Sequence, residues 1–220
     1  MQSLKQIFRE QEKLRHIYQT VKAAIFTPWF TFIPEDIYTP GSERSFMQLN
    51  LGNVPEHEMA VDHLKKAGTY LAFIMPQSIK SLLQDHFEKP EIHHSAAPII
   101  ENLVRRNKES ELNKVYVYVN KNYLEIFIIQ RNIFTYYNSF PFRTAEDFIY
   151  YIMLVYNQLR LDTEDDPLIF LGELEKQSTL FNITYKYIRN IRFGSRPDTY
   201  EYGEGFDAVP AHYYYNLLSI

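Results

Sequence analysis

The chain has 220 residues, enough for one large domain or two small ones with real cores. Tyrosine (18) and phenylalanine (16) are abundant and 45% of residues are hydrophobic, which excludes a disordered chain; the lack of cysteine excludes disulfides, thiol catalysis and cysteine-based zinc sites. A net charge of -4 gives no general attraction to nucleic acid or anionic lipid, so neither is an expected partner. No apolar run reaches the roughly 20 residues of a membrane helix, and Met1 to Thr20 is too charged for a signal peptide. No membrane insertion is expected, and a reducing cytoplasm is the expected setting.

Leu4, Ile7, Phe8, Leu14, Ile17 and Tyr18 recur at helical spacing, which predicts an amphipathic helix over Gln2 to Thr20. VKAAIF and WFTFIP read as extended segments, the second with Trp29, Phe30 and Phe32 as packing residues. A polar stretch around Pro40 and Gly41 separates them from two further strands, about Glu58 to Leu64 and Thr69 to Met75, joined by a turn at Lys65 to Gly68. Pro76 opens a helix over QSIKSLLQDHF. EIHHS then reads as a strand and APIIENLVRRN as a helix with a basic last turn.

NKESELN, Asn107 to Asn113, is polar throughout and predicts a linker between a first subdomain, 1–112, and a second, 113–220. Beyond it, strands at Lys114 to Val119, Tyr123 to Gln130 and Ile133 to Phe140 form a meander with the short turns VNKN and QRN. Valines 115, 117 and 119 alternate with Tyr116 and Tyr118, so both faces are apolar and helices must cover both sides. Thr144, with Asp147 three residues on, predicts a capped helix, AEDFIYYIMLVYNQLRL, broad and apolar enough to pack on a sheet. PLIFLGEL is a buried strand, Ser178 to Ile188 a helix, NIRFG a strand and Pro210 to Ile220 a closing helix.

The second half thus runs strand, strand, strand, helix, strand, helix, strand, helix, the order of a ribonuclease H-like module. The first half resembles the later part of such a module, and two in tandem make an α/β protein of actin-like ATPase arrangement. LAFIMPQSIKSLLQDHF, EIHHSAAPIIENL, KVYVYVNKNYLEIFII, YYNSFPFRTAEDFIYYIMLVYNQLRLD, PLIFLGEL, YKYIRNIRFG and AHYYYNLLSI, together spanning nearly the whole chain, resemble an uncharacterised bacterial family, domain of unknown function 3822. The resemblance implies an actin-like ATPase (ribonuclease H-like) fold and no inherited activity. Similar proteins begin with a strand pair before the first helix, so the first module here is expected to lack its opening strands.

An actin-like ATPase wraps its nucleotide phosphates in backbone amides from turns that carry an Asp, glycines and a Thr or Ser. Aligned with that pattern, Asn120 falls where a metal-orienting Asp would stand, and Lys121 and Asn122 where glycines would let the chain approach. Gly172, with Glu173 beside it, is the sole glycine at the adenine end, where a pair is usual. These five are candidate residues of a degenerate nucleotide cleft, and the residue types favour a solvated hairpin turn at Asn120. The expected protein is a non-catalytic binding or scaffold protein needing no cofactor, with an unknown protein partner or itself as partner. The alternative is an ATPase that binds ATP and magnesium through atypical phosphate loops.

A nuclease of this fold would need clustered carboxylates, whereas Glu125 is the meander's one acid and reads as outward or paired. His93 and His94 point to opposite faces of a strand, and one is expected to be a hydrogen-bonded packing residue. His57 and His63, among Glu56, Glu58 and Asp62, lack ligand spacing, and Asp162 to Asp166 reads as a solvated acidic turn. Lys186, Arg189, Arg192 and Arg196 read as a scattered basic edge rather than an anion patch. In the aromatic C-terminal tract, Tyr200 and Tyr202 are interface candidates, and Tyr214, Leu217 and Leu218 are expected to close the core.

Overall fold

Alternation of apolar residues dictates the strands, and a computed structural model, which describes residues 2–220, places them in two units, 1–98 with Ile220 and 99–219. In the first unit, helix α1 (Gln2–Glu10) stops well short of the expected Thr20. Gln11 turns extended and a 3-10 turn follows over Glu12–Arg15. Ile17 and Tyr18, the end of the expected stripe, are exposed, so no burial offsets the entropy of ordering further turns. β1 (Lys22–Ile25) and β2 (Phe30–Pro34) follow.

A helix that the periodicity does not announce, α2 (Glu43–Leu51), occupies the polar stretch. Its one buried side chain is Met47, and Gly52 ends it at φ +74, a conformation that glycine adopts without a Cβ penalty. β3 (Met59–Leu64) and β4 (Thr69–Ile74) form the expected hairpin, and the antiparallel sheet runs β2-β4-β3. α3 (Gln77–His86) follows Pro76, and β5 (Glu91–His94) pairs in parallel with β1. Phe8, Ile25, Phe73, Met75, Leu82 and Leu83 make one core cluster of this unit.

Asp62 joins the two sheets. Its carboxylate accepts from the His94 backbone N–H at 2.7 Å and pairs with His93 Nδ1 at 2.8 Å. The pairing raises the His93 pKa. His94 is fully buried with Nε2 on the Thr27 carbonyl at 3.0 Å and Nδ1 accepting from the Ala96 N–H at 3.1 Å. Burial pulls its pKa down to about 4, so the ring stays neutral as a packing residue.

Helix α4 (Ala96–Arg106) leads into the second unit, where β6 (Lys114–Asn120), β7 (Tyr123–Gln130) and β8 (Ile133–Pro141) form the expected meander. α5 (Ala145–Gln158), β9 (Leu168–Gly172), α6 (Thr179–Tyr185), β10 (Ile191–Phe193) and α7 (Tyr215–Ser219) complete the predicted order. The five-stranded sheet is ordered β10-β9-β6-β7-β8, with β6, β9 and β10 parallel and β7 antiparallel to its neighbours.

One face of this sheet, Val115, Val117, Leu124, Ile126 and Phe170, packs with Phe148, Ile152 and Val155 of α5 in a fully buried cluster. Each such side chain contributes about 1.5–3 kcal/mol on burial. The capping box at the start of α5 is present: Thr144 accepts from the Asp147 N–H at 3.0 Å and the Asp147 carboxylate accepts from the Thr144 N–H at 3.1 Å. On the opposite face lie Tyr116, Tyr118, Glu125, Phe127 and Tyr137, all buried.

One further expectation is corrected, and the first residue of the expected linker is tied into the second unit. α7 is five residues long, and Tyr215 is the side chain it buries, with Tyr214 and Leu217 exposed and Leu218 only partly covered. Tyr214 adopts φ 53, in the left-handed region, and the helix begins at the next residue, the buried Tyr215. Asn107, the first residue of the expected linker, is buried and holds Tyr116 and Lys114 by hydrogen bonds, because its amide offers both donor and acceptor beside β6.

Candidate functional site

The ends of β6 and β9 lie side by side in the sheet, Val119 opposite Gly172, so Asn120, the next residue of β6, lies at the same end of the sheet as Gly172. Between Asn120 and Tyr123, which pair across the hairpin, Lys121 and Asn122 form a two-residue loop, and neither has a positive φ. An anion-binding nest needs consecutive amides converging through a left-handed residue, and this loop has none. The Lys121 N–H is also occupied, donating to Asn120 Oδ1 at 2.7 Å.

Gly172 does have a left-handed backbone, at φ +83, but its freedom is used for packing. A Cβ there would collide with the Val119 carbonyl oxygen. Its N–H donates to the His212 carbonyl at 2.8 Å, and the Glu173 N–H donates to the Val119 carbonyl at 3.1 Å. Glu173 itself is exposed and adds negative charge to the edge. Burial depresses the pKa of His212, which donates from Nε2 to the Leu174 carbonyl at 2.8 Å and so fastens the C-terminal tract to β9.

A second constellation lies on the opposite face of the same sheet. The register aligns Arg192, Ile169 and Tyr116 across β10, β9 and β6. Beside this row is a cavity of about 220 Å³ whose lining includes Arg106, Lys114, Arg192, Ser195, Tyr116 and Tyr215. Arg106 extends from the last turn of α4 and donates to the Ser195 carbonyl at 2.9 Å and to its hydroxyl. Lys114 donates from Nζ to Asn107 Oδ1 at 2.7 Å, and Arg192 from Nε to Asn190 Oδ1 at 3.1 Å. No residue lining the cavity is acidic, and the ion pairs among the described residues include none of the three cations. Burial, and then the charges of Arg192 and Arg106, lowers the pKa of Lys114.

By sequence, Arg192 is one of four scattered basic residues. Lys186 and Arg189 indeed stay exposed and apart from this cavity. Arg196 turns into the C-terminal loop, where it donates to the Phe206 and Val209 carbonyls at 2.9 and 2.8 Å and lies over the Tyr202 ring. The cavity escapes sequence reasoning because Arg106 and Lys114 sit on either side of the supposed linker. The available signal is Lys114 in alternation with Tyr116, which puts both on one face of β6.

Of the interface candidates, Tyr202 is engaged within its own loop, donating to the Pro197 carbonyl at 2.6 Å, whereas Tyr200 is exposed. Glu125 is paired and inward: it is 3% exposed and accepts from the Tyr137 hydroxyl at 2.7 Å. Burial raises its pKa to about 7. The His57 to His63 stretch disperses, with His63 on Glu35, Asp62 on His93 and Glu58 on Lys80. Among the described residues no three His, Asp or Glu side chains group to hold a metal. Asp162 caps its own turn, accepting from the Glu164 N–H at 2.8 Å. Among the described residues no helix is long and apolar enough to cross a membrane.

Against known proteins, the family described as "Protein of unknown function (DUF3822)" matches residues 1–191. A search of curated proteins returns no match. Among solved structures, a Bacteroides thetaiotaomicron protein with actin-like ATPase fold and unknown function is similar at 25% identity and a TM-score of 0.79, over 88% of this chain and 75% of that one. A chain of the PilM–PilN type IV pilus biogenesis complex is similar at 11% identity and a TM-score of 0.58, over 99% of this chain and 83% of that one. The fold is therefore that of an actin-like ATPase.

Proposed function

The chain belongs to the DUF3822 family, and on that premise we propose that it is a non-catalytic binding or scaffold protein of actin-like fold whose nucleotide edge is degenerate. One observation carries this: the backbone amides at the ends of β6 and β9, where the candidate cleft residues lie, are hydrogen-bonded within the protein, at Lys121, Gly172 and Glu173. Freeing them for a ligand would break three existing bonds, each worth about 1 kcal/mol net. The loop also lacks a carboxylate at Asn120 to orient magnesium. The partner is another protein or a second copy of the chain. The PilM–PilN complex is a precedent for this fold in a protein assembly, and the exposed Tyr200 is the contact candidate.

The test is a calorimetric titration of the full chain with magnesium ATP, paralleled by the fluorescence of its one tryptophan, Trp29. No saturable binding that depends on Asn120 is expected at millimolar nucleotide. Micromolar binding that is lost in Asn120→Ala would overturn the proposal in favour of an ATPase with atypical loops.

A further inference from the structure

We propose that the cavity bounded by α4, β6, β9 and β10 is a binding site for a small phosphate monoester carried on a ring-sized apolar body. Three cations from three different elements, Arg106, Lys114 and Arg192, line one cavity that contains no acid. Gathering like charges costs electrostatic energy that surface placement would avoid. The proton affinity of Lys114 is lowered first by burial and then by the charges of Arg192 and Arg106, which places all three within electrostatic reach of one another. A dianion relieves that repulsion directly, and the planar fork of a guanidinium can donate to two phosphate oxygens at once.

The shape sets the rest of the ligand. About 220 Å³ of cavity exceeds the roughly 150 Å³ that accommodates benzene in an engineered apolar cavity. Its walls combine the Leu103, Ile169 and Leu171 side chains with the Tyr116 and Tyr215 rings. Both tyrosine hydroxyls are already committed, Tyr116 to Asn107 and Tyr215 to Asn102 Oδ1 at 2.8 Å. The rings are thereby held in place as apolar walls. Arg106 is similarly pre-positioned by Ser195, so an incoming phosphate meets a fixed donor rather than a flexible one.

Nothing in this site depends on the nucleotide edge. It lies on the tyrosine-bearing face of the sheet and includes Lys114, the first residue of β6, whereas Asn120 is the last. Its success or failure therefore leaves the preceding proposal standing.

Phenyl phosphate, inorganic phosphate, benzoate and phenol are the probes, titrated calorimetrically into the full chain. Phenyl phosphate is expected to bind in the micromolar to low-millimolar range, with inorganic phosphate and benzoate each weaker by about tenfold or more and phenol not binding. Arg192→Gln, at an exposed position, and Lys114→Gln, which can keep the bond to Asn107, are each expected to weaken phenyl phosphate by about tenfold without a change in melting temperature. Affinity should also fall with added salt. Three results would overturn the site: no heat with phenyl phosphate at millimolar concentration, equal binding in both variants and the parent, or benzoate binding as tightly as phenyl phosphate.

Discussion

Replacing Glu125 by Gln removes one buried titration from the middle of the second unit and should change how stability depends on pH. Glu125 sits on β7 between Tyr118 of β6 and Ser139 of β8, is 3% exposed, and accepts from Tyr137. Burial raises its pKa from 4.5 to about 7. Between those values the folded chain keeps a proton that the unfolded chain releases. The stabilisation is therefore fully present below the unfolded value and is lost as pH rises through about 7. At about 1.4 kcal/mol per tenfold change in proton affinity, the wild type should lose about 2 to 3 kcal/mol between about pH 5 and about pH 8 through this residue alone. In Glu125→Gln the side-chain amide would keep an acceptor for the Tyr137 hydroxyl and never ionise. Urea unfolding of both chains across that range, at constant salt, gives the assay, and the difference between them isolates Glu125 because histidine contributions cancel. The variant should gain on the wild type steadily as pH rises. A flat difference curve would refute the reasoning and mean that Glu125 is solvated or ionised in the native state.

Gly172→Ala forces a left-handed alanine against the Val119 carbonyl and should cost about 3 kcal/mol or more, read as a lowered urea midpoint. A role in nucleotide contact alone would leave the midpoint within a few tenths of a kcal/mol of the parent. Asp62→Asn weakens the link from β3 to β5 and should cost about 1–3 kcal/mol. The same change should move the His93 NMR titration down toward its ordinary value, since the Asp62 hydrogen bond is the largest influence raising it. His94, held near 4 by burial, should remain neutral in NMR spectra through mildly acidic pH; its contribution to stability is lost as pH falls from 6.5 through about 4. Tyr215→Phe leaves buried Asn102 without its hydroxyl donor and should cost about 1–2 kcal/mol by thermal unfolding.

Strand alternation and helix periodicity are local properties, and wherever burial followed them the sequence was sufficient. The valines of β6, the isoleucines of β7 and the wide stripe of α5 announce a sheet covered by a helix, and Thr144 with Asp147 fixes where that helix begins. The element order of the second unit, and through it the actin-like fold, could be read in this way. Elements whose existence rests on few buried side chains could not: α2 depends on Met47 and a Gly52 stop, and α1 ends where its stripe finds nothing to cover.

Site chemistry lay further out of reach, because it depends on which strand ends and which faces become neighbours. Asn120 and Gly172 stand out only through the resemblance to actin-like ATPases, and only the pairing of β6 with β9 shows that Gly172 accommodates the Val119 carbonyl and that the adjacent amides have partners inside the protein. Arg106, Lys114 and Arg192 are separated along the chain by up to 86 positions. They meet because β10, β9 and β6 are consecutive in the sheet and α4 ends beside them. Periodicity determined which residues could be inside; tertiary pairing alone decided which charges share a cavity.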